Sequence, residues 1–103
     1  MSMRERLPNR RGAETFEVEA GGLRYRASVG RYPDGRIAEI FLSSTKLGSA
    51  ADTAARDSAI AASIALQYGA DVETLRKALC RDLRGNASGP LAAVLDLIEQ
   101  EAE

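Results

Sequence analysis

Two runs of alternating apolar and polar residues near the start of the chain predict a β-hairpin. In residues 15–20 and 23–29 apolar side chains alternate with Glu, Arg and Ser, and a Gly-Gly pair at 21–22 separates the runs. A two-residue loop of this kind needs the positive φ angles that glycine adopts readily, and it fixes the register by itself. The register pairs Ala20 with Leu23, Val18 with Tyr25 and Phe16 with Ala27 on one face, and Glu19 with Arg24 and Glu17 with Arg26 on the other.

A Pro-Asp-Gly turn at 33–35 leads into a third predicted strand, from Arg36 to Ser43. This strand is apolar on both faces, with Ile37 and Phe41 on one and Ala38, Ile40 and Leu42 on the other. Helices cover only one face of such a meander, so we expect a second copy of the chain, or the N-terminal arm, to cover the other. The residues expected at this interface are Ile37, Ile40 and Leu42, together with Leu7 of the arm.

From residue 49 the hydrophobic period changes to that of an α-helix. Ser49 followed by Asp52 is typical of a helix start, since the serine side chain can accept a hydrogen bond from a backbone N–H of the first turn. The alanine-rich stretch from Ala50 to Tyr68 contains no Gly or Pro, and Gly69 follows it as a C-terminal cap. These features predict one long helix that can approach the sheet closely.

Two shorter helices follow. Asp71 is expected to cap the second, residues 82–89 form a loop, and Pro90 opens the third. The element order β-β-β-α-α-α predicts an α+β fold, a three-stranded antiparallel meander followed by three helices packed on one face. With 103 residues there is room for one domain, which we place at 13–103 after a basic N-terminal arm at 1–12.

The arm is strongly basic, although the whole chain has a formal net charge of only −1. Its basic residues are Arg4, Arg6, Arg10 and Arg11. Because the chain lacks interleaved aromatic residues for base stacking, we interpret the arm as a linker or docking segment and consider nucleic-acid binding the weaker alternative. No apolar run reaches the roughly 20 residues of a membrane span and no signal peptide opens the chain, so we expect a cytoplasmic protein without a membrane partner.

The composition restricts the chemistry that the chain can carry out. It has one Cys and no His, which excludes an internal disulfide, a cysteine-based zinc site and every Ser–His or Cys–His nucleophile pair. The lone Cys80 is interpreted as a buried or half-buried small hydrophobe. No catalytic residue, metal ligand or cofactor site is therefore expected.

Two predicted helix starts offer an alternative function, the binding of a nucleotide or another phosphate. Free backbone N–H groups and a nearby cation make a helix N-terminus attractive to anions. Lys46, Gly48 and Ser49 precede the first helix, and Arg81, Arg84 and Ser88 precede the third. Neither set matches a phosphate-binding loop or a dinucleotide fingerprint, and capping alone also explains both.

Several fragments in order along the chain carry a resemblance. They are Arg4-Glu5-Arg6-Leu7-Pro8, a Phe-x-Val strand with a Gly-Gly turn, Val29-Gly30-x-Tyr32-x-Asp34-Gly35, Glu39-Ile40-Phe41, Lys46-x-Gly48-Ser49, Ala65-Leu66-Gln67-Tyr68-Gly69 and Ser88-Gly89. Together they resemble the C-terminal region of vitamin B12-dependent (class II) ribonucleotide reductases, a region assigned to the TSCPD domain family. The resemblance extends from about Met3 to Pro90.

The resemblance implies only the appended domain of such a reductase. The Thr-Ser-Cys-Pro-Asp signature does not occur, since the first helix opens with Gly48-Ser49-Ala50-Ala51-Asp52. The reductases need radical-forming and reducing cysteines, whereas this chain has Cys80 alone. We therefore expect a non-catalytic accessory module in the context of deoxyribonucleotide metabolism. Its expected partner is another protein, for which a ribonucleotide reductase is one candidate, or a second copy of itself.

Overall fold

A computed structural model describes residues 3–9 and 12–102. Its elements are β1 (Ala13–Ala20), β2 (Leu23–Arg31), β3 (Ile37–Ser44), α1 (Ala50–Gln67), α2 (Val72–Ala78) and α3 (Pro90–Ala102). The three strands form one antiparallel sheet in the order β1-β2-β3. The predicted α+β arrangement of three strands followed by three helices is confirmed.

The hairpin of β1 and β2 has the predicted register at every position, from Ala20 opposite Leu23 to Phe16 opposite Ala27. Gly21 and Gly22 have φ angles of 59° and 78°, which explains why the turn needs two glycines. On the opposite face Arg24 lies 3.7 Å from the carboxylate of Glu19 and 3.9 Å from that of Glu17. These side chains are exposed, so the ion pairs contribute little to stability.

A β-bulge interrupts the pairing of β2 with β3. Gly30 pairs with Glu39 and Arg31 pairs with Ile37, so Ala38 is the extra residue. The bulge brings Ile37 to the same side of the sheet as Ile40 and Leu42, the side that the helices cover. Ile40 and Leu42 belong to that side by register, since they pair with Val29 and Ala27 of β2. The prediction that Ile37, Ile40 and Leu42 lie on the open face is wrong, because they lie in the core at 7%, 1% and 4% exposure.

The hydrophobic core lies between this face of the sheet and the helices α1 and α3. The alanines of α1 let it approach β3 closely, while α3 lies against β1. The sheet contributes Val18, Tyr25, Ala27, Val29, Ile40 and Leu42, α1 contributes Ala55, Ala59, Ala62 and Leu66, and α3 contributes Leu91, Val94, Leu95 and Ile98.

Polar side chains of α1 hydrogen-bond the outer edge of β3. Asp52 Oδ1 accepts from the N–H of Ser44 at 2.8 Å, and Gln67 Nε2 donates to the carbonyl oxygen of Ala38 at 3.0 Å. Between them Ser63 Oγ accepts from the N–H of Ile40 at 2.8 Å. An open strand edge invites pairing with other chains, so these three side chains protect that edge of the sheet.

The start of the N-terminal arm contacts the end of α1. Arg4 Nε donates to Gln67 Oε1 at 2.6 Å, and the backbone N–H of Glu5 donates to the Gln67 carbonyl oxygen at 2.8 Å. The hydroxyl of Tyr32 donates to the carbonyl oxygen of Glu5 at 2.9 Å. Leu7 is half-buried. The basic residues at 10 and 11 lie outside the described residues, and the role of the arm as a linker or docking segment stays a prediction.

Candidate functional site

The first predicted anion site, at the start of α1, already contains an anion supplied by the chain itself. Ser49 Oγ accepts from the N–H of Asp52 at 3.1 Å, which confirms the predicted cap. The Asp52 carboxylate, only 3% exposed, accepts in turn from Gly48 N–H at 2.9 Å and from Ser44 N–H. The backbone N–H groups of Gly48 and Ser49 are thus already bonded, the first to Asp52 and the second to the Lys46 carbonyl oxygen at 3.3 Å, while anion binding at this helix start stays a prediction. Lys46 remains exposed at the rim.

The environment of Asp52 favours its charged form. The backbone N–H groups of Gly48 and Ser44 hold the pKa of this carboxyl below its usual range, and Arg56 adds to the effect. Arg56 Nε lies 3.0 Å from Oδ2. A capping residue identified from the sequence thus has a second role, since its carboxylate links the end of β3 to the first turn of α1.

The second predicted anion site has its main cation turned inward. Arg81 donates to both carboxylate oxygens of Asp96 on α3, at 2.7 and 2.8 Å. Arg76 of α2 donates to the same carboxylate at 2.8 Å. The hydrogen bonds from Arg81, and to a smaller extent those from Arg76, keep the pKa of Asp96 below its ordinary value. Arg81 is therefore occupied in joining α2 and the following loop to α3. Of the other predicted residues, Arg84 and Ser88 are exposed.

The lone thiol differs from its interpretation as a buried hydrophobe, because Cys80 is exposed. It lies two residues beyond the end of α2 and lines a hollow of about 300 Å³ with Tyr25, Leu79 and Pro90. Among residues 3–9 and 12–102, no group of three or more His, Cys, Asp or Glu side chains is arranged to hold a metal ion. Nor does any helix in that part of the chain have the length and apolar character to cross a membrane.

An open groove lies on the outer face of the sheet, between β3 and the exposed side of α1. It has a volume of about 440 Å³. Its most exposed apolar residues are Phe41 and Ile60, at 55% and 56% exposure. Two guanidinium groups, from Arg26 and Arg56, also line it. The other polar residues of its lining are Thr15, Ser28 and Ser43, and the described residues contribute no carboxylate to that lining.

This groove was not predicted, although two features of the sequence indicate it. The hairpin register places the helix-covered face at Ala27, and continuing that register across the sheet puts Phe41, opposite Ser28, on the other face. On α1, Ile60, Ile64 and Tyr68 follow one another at a spacing of four residues. All three are exposed, because the core side of the helix is formed by the alanines.

Comparison with curated proteins finds similarity to one kind of enzyme. The chain is 43% identical over 70 residues, 68% of its length, to the vitamin B12-dependent ribonucleotide reductase of Agrobacterium fabrum. It is 38% identical over 73 residues to the enzyme of that name from Bradyrhizobium diazoefficiens, and 39% identical over 72 residues to the one from Rhodopirellula baltica. These matches cover 71% and 70% of the chain. No family model matches the sequence, and no solved structure does.

The similarity is to a segment of these enzymes. The chain spans only 6–7% of the length of the three relatives. It is thus homologous to a small part of vitamin B12-dependent ribonucleotide reductases, as the sequence fragments indicated.

Proposed function

We propose that the chain is a non-catalytic accessory module that acts by binding a protein partner in deoxyribonucleotide metabolism, with a vitamin B12-dependent ribonucleotide reductase as the first candidate. One observation carries the proposal: about 70% of the chain matches such reductases, while the match covers 6–7% of each enzyme. A match of these proportions is typical of a module that forms one small segment of each enzyme.

The chemistry of the chain supports a non-catalytic role. It contains one Cys and no His, whereas reductases of this kind use a radical-forming cysteine and a reducing cysteine pair. Within the proposal the module is of the TSCPD type, supported by fragments such as Lys46-x-Gly48-Ser49 and Ala65–Gly69. Within the proposal the module acts in the cytoplasm.

Direct binding tests the proposal. The purified chain is titrated calorimetrically into the Agrobacterium fabrum reductase, once as the whole enzyme and once with the matching segment removed. We expect micromolar binding to the shortened enzyme and weaker binding to the whole one, whose own segment competes for the site. Absence of heat with both enzymes at about 100 μM would contradict the proposed partner.

An activity assay tests the other half of the proposal. The pure chain is incubated with adenosylcobalamin, a dithiol and a ribonucleotide, with the whole reductase as the positive control. We expect no deoxyribonucleotide from the chain alone, because a single thiol cannot supply both the radical and the reducing pair. Turnover by the pure chain would show that it is an enzyme.

A further inference from the structure

At one residue of β3, Leu42, the backbone groups that face α1 have no hydrogen-bonding partner on the helix. Ala38, Ile40 and Ser44 each bond a polar side chain of α1. Since backbone groups of an antiparallel strand face the same edge at every second residue, the N–H and C=O of Leu42 face α1 as well. One turn before Ser63 the helix has Ala59, which carries no polar side-chain atom, and no hydrogen bond to these two groups is seen among the residues that the structure describes.

This backbone donor–acceptor pair lies at the floor of the open groove, because Leu42 and Ala59 both line it although the two residues are only 4% and 1% exposed. Phe41 precedes Leu42 on the strand and Ile60 follows Ala59 on the helix, so each exposed apolar side chain adjoins one side of the pair.

The cations of the groove are available to a ligand. Arg26 has no ion-pair partner among the residues that the structure describes. Arg56 uses Nε to contact Asp52, which leaves the two terminal nitrogens of its guanidinium group. Since the described lining includes two arginines and no acidic residue, it complements an anion.

We propose that this groove binds a nucleoside phosphate, with its base against Phe41 and its phosphate on Arg26 and Arg56. The N–H and C=O of Leu42 are an adjacent donor and acceptor, the pattern that the edge of a nucleobase complements. An aromatic ring provides a stacking surface for any base. The groove volume of about 440 Å³ lies in the range of small-molecule sites.

The distribution of partners along β3 favours a nucleotide over a peptide. A peptide that extends a sheet bonds several successive edge groups of the strand. On β3 the side chains of Asp52, Ser63 and Gln67 already occupy the levels on either side of Leu42. A single remaining donor–acceptor pair matches one base. This inference goes beyond the proposed protein-binding role and does not depend on it.

Titration of the ¹⁵N-labelled full chain with AMP, GMP, CMP and UMP, followed by NMR, tests the proposal. We expect saturable shifts of the amide signals of Leu42, Phe41 and Ile60 with at least one of the four. Phe41→Ala should raise the Kd about tenfold, and Arg26→Gln should raise it several-fold. The matched controls are Leu83→Ala and Lys77→Gln, which change an exposed apolar residue of the 82–89 loop and an exposed basic residue of α2 and should leave the Kd unchanged.

Several outcomes would overturn the proposal. One is the absence of saturable shifts up to about 10 mM nucleotide, and another is a set of shifts confined to residues outside the groove. Equal affinity for inorganic triphosphate would show a simple anion site without base recognition. If light scattering gives a dimer that Phe41→Ala dissociates, the groove is an interface between two copies of the chain. Because Phe41 is exposed, its variant should keep the dispersed spectrum of the folded protein.

Discussion

The junction of α1 with β3 and the outer face of the sheet both contain polar side chains, but the partners of these side chains differ between the two regions. At the junction, the polar side chains of Asp52, Ser63 and Gln67 all bond backbone groups of β3. On the outer face, Arg26 has no such partner among the described residues, and Phe41 contacts solvent. The polar residues that the sequence marks most clearly are thus structural, while groups suited to a ligand lie on the face that the helices leave open.

The arginines divide in the same way. Arg76 and Arg81 converge on the carboxylate of Asp96 and connect α2, the following loop and α3. Arg26 and Arg56 line the groove, where both side chains remain accessible. The number of basic residues therefore does not by itself indicate anion binding, because arginines that pair with internal carboxylates are not available to a ligand.

Removal of the internal carboxylate should have the largest effect of the changes considered. Asp52→Ala leaves the buried N–H of Ser44 and the partly buried N–H of Gly48 without their acceptor, and an unpaired buried N–H is costly inside a protein. We expect the melting temperature to fall by about 10 °C in calorimetry. Asp57→Ala is the control, since Asp57 lies on the same helix but is exposed. An equal fall of the melting temperature in both variants would show that the hydrogen bonds of Asp52 add no stability beyond that of an exposed aspartate.

A methyl group at Gly30, which pairs with Glu39 of β3, should have the next largest effect. A Cβ there would lie 2.7 Å from Oε2 and 2.8 Å from Cγ of Glu39, whose side chain is buried above the glycine. We expect Gly30→Ala to lower the free energy of unfolding by about 1–3 kcal/mol in urea titrations. Gly12→Ala is the matched control, because a Cβ at Gly12 meets nothing within 4 Å. Unchanged stability of Gly30→Ala would mean that Glu39 moves aside at no cost.

Acid should weaken the junction by a smaller amount. Hydrogen bonds from Gly48 and Ser44 hold the folded-state pKa of Asp52 below that of the unfolded chain, so the unfolded chain binds more protons between the two values. The stability that this carboxylate confers is complete above about pH 5 and is lost as the pH falls through its lowered pKa. We expect the melting temperature of Asp52→Asn to fall by a few degrees less than that of the native chain between about pH 5 and pH 2. Parallel curves for the two proteins would contradict this.

Local patterns were sufficient to predict the elements and the hairpin register. The Gly-Gly turn, the cap at Ser49 and the proline at the start of α3 each act within a few residues, so the sequence alone identifies them. The bulge at Ala38 was not predicted, because it depends on how β3 fits against β2 rather than on a local signal. It reversed the side of Ile37 and so contributed to the wrong interface.

The candidate site was less predictable because it depends on contacts between distant parts of the chain. Asp52 was identified as a capping residue, but its bond to Ser44 crosses from helix to strand. Asp96 is one of several acidic residues near residue 103, and only the folded structure brings Arg81 beside it. The groove, likewise, exists only where β3 and α1 lie side by side.

The smallest expected effect is at the charge pairs of the outer face, where exchange of two residues tests the hairpin register. Glu19→Arg places a positive charge opposite Arg24 on the neighbouring strand, and we expect a loss of less than about 1 kcal/mol in the free energy of unfolding, because both side chains are exposed. The double variant Glu19→Arg/Arg24→Glu restores opposite charges and should recover part of that loss in urea titrations. Glu17, which also lies near Arg24, then faces a glutamate at that position, so full recovery is not expected. A double variant no more stable than the sum of its single changes would contradict the direct pairing of these two residues.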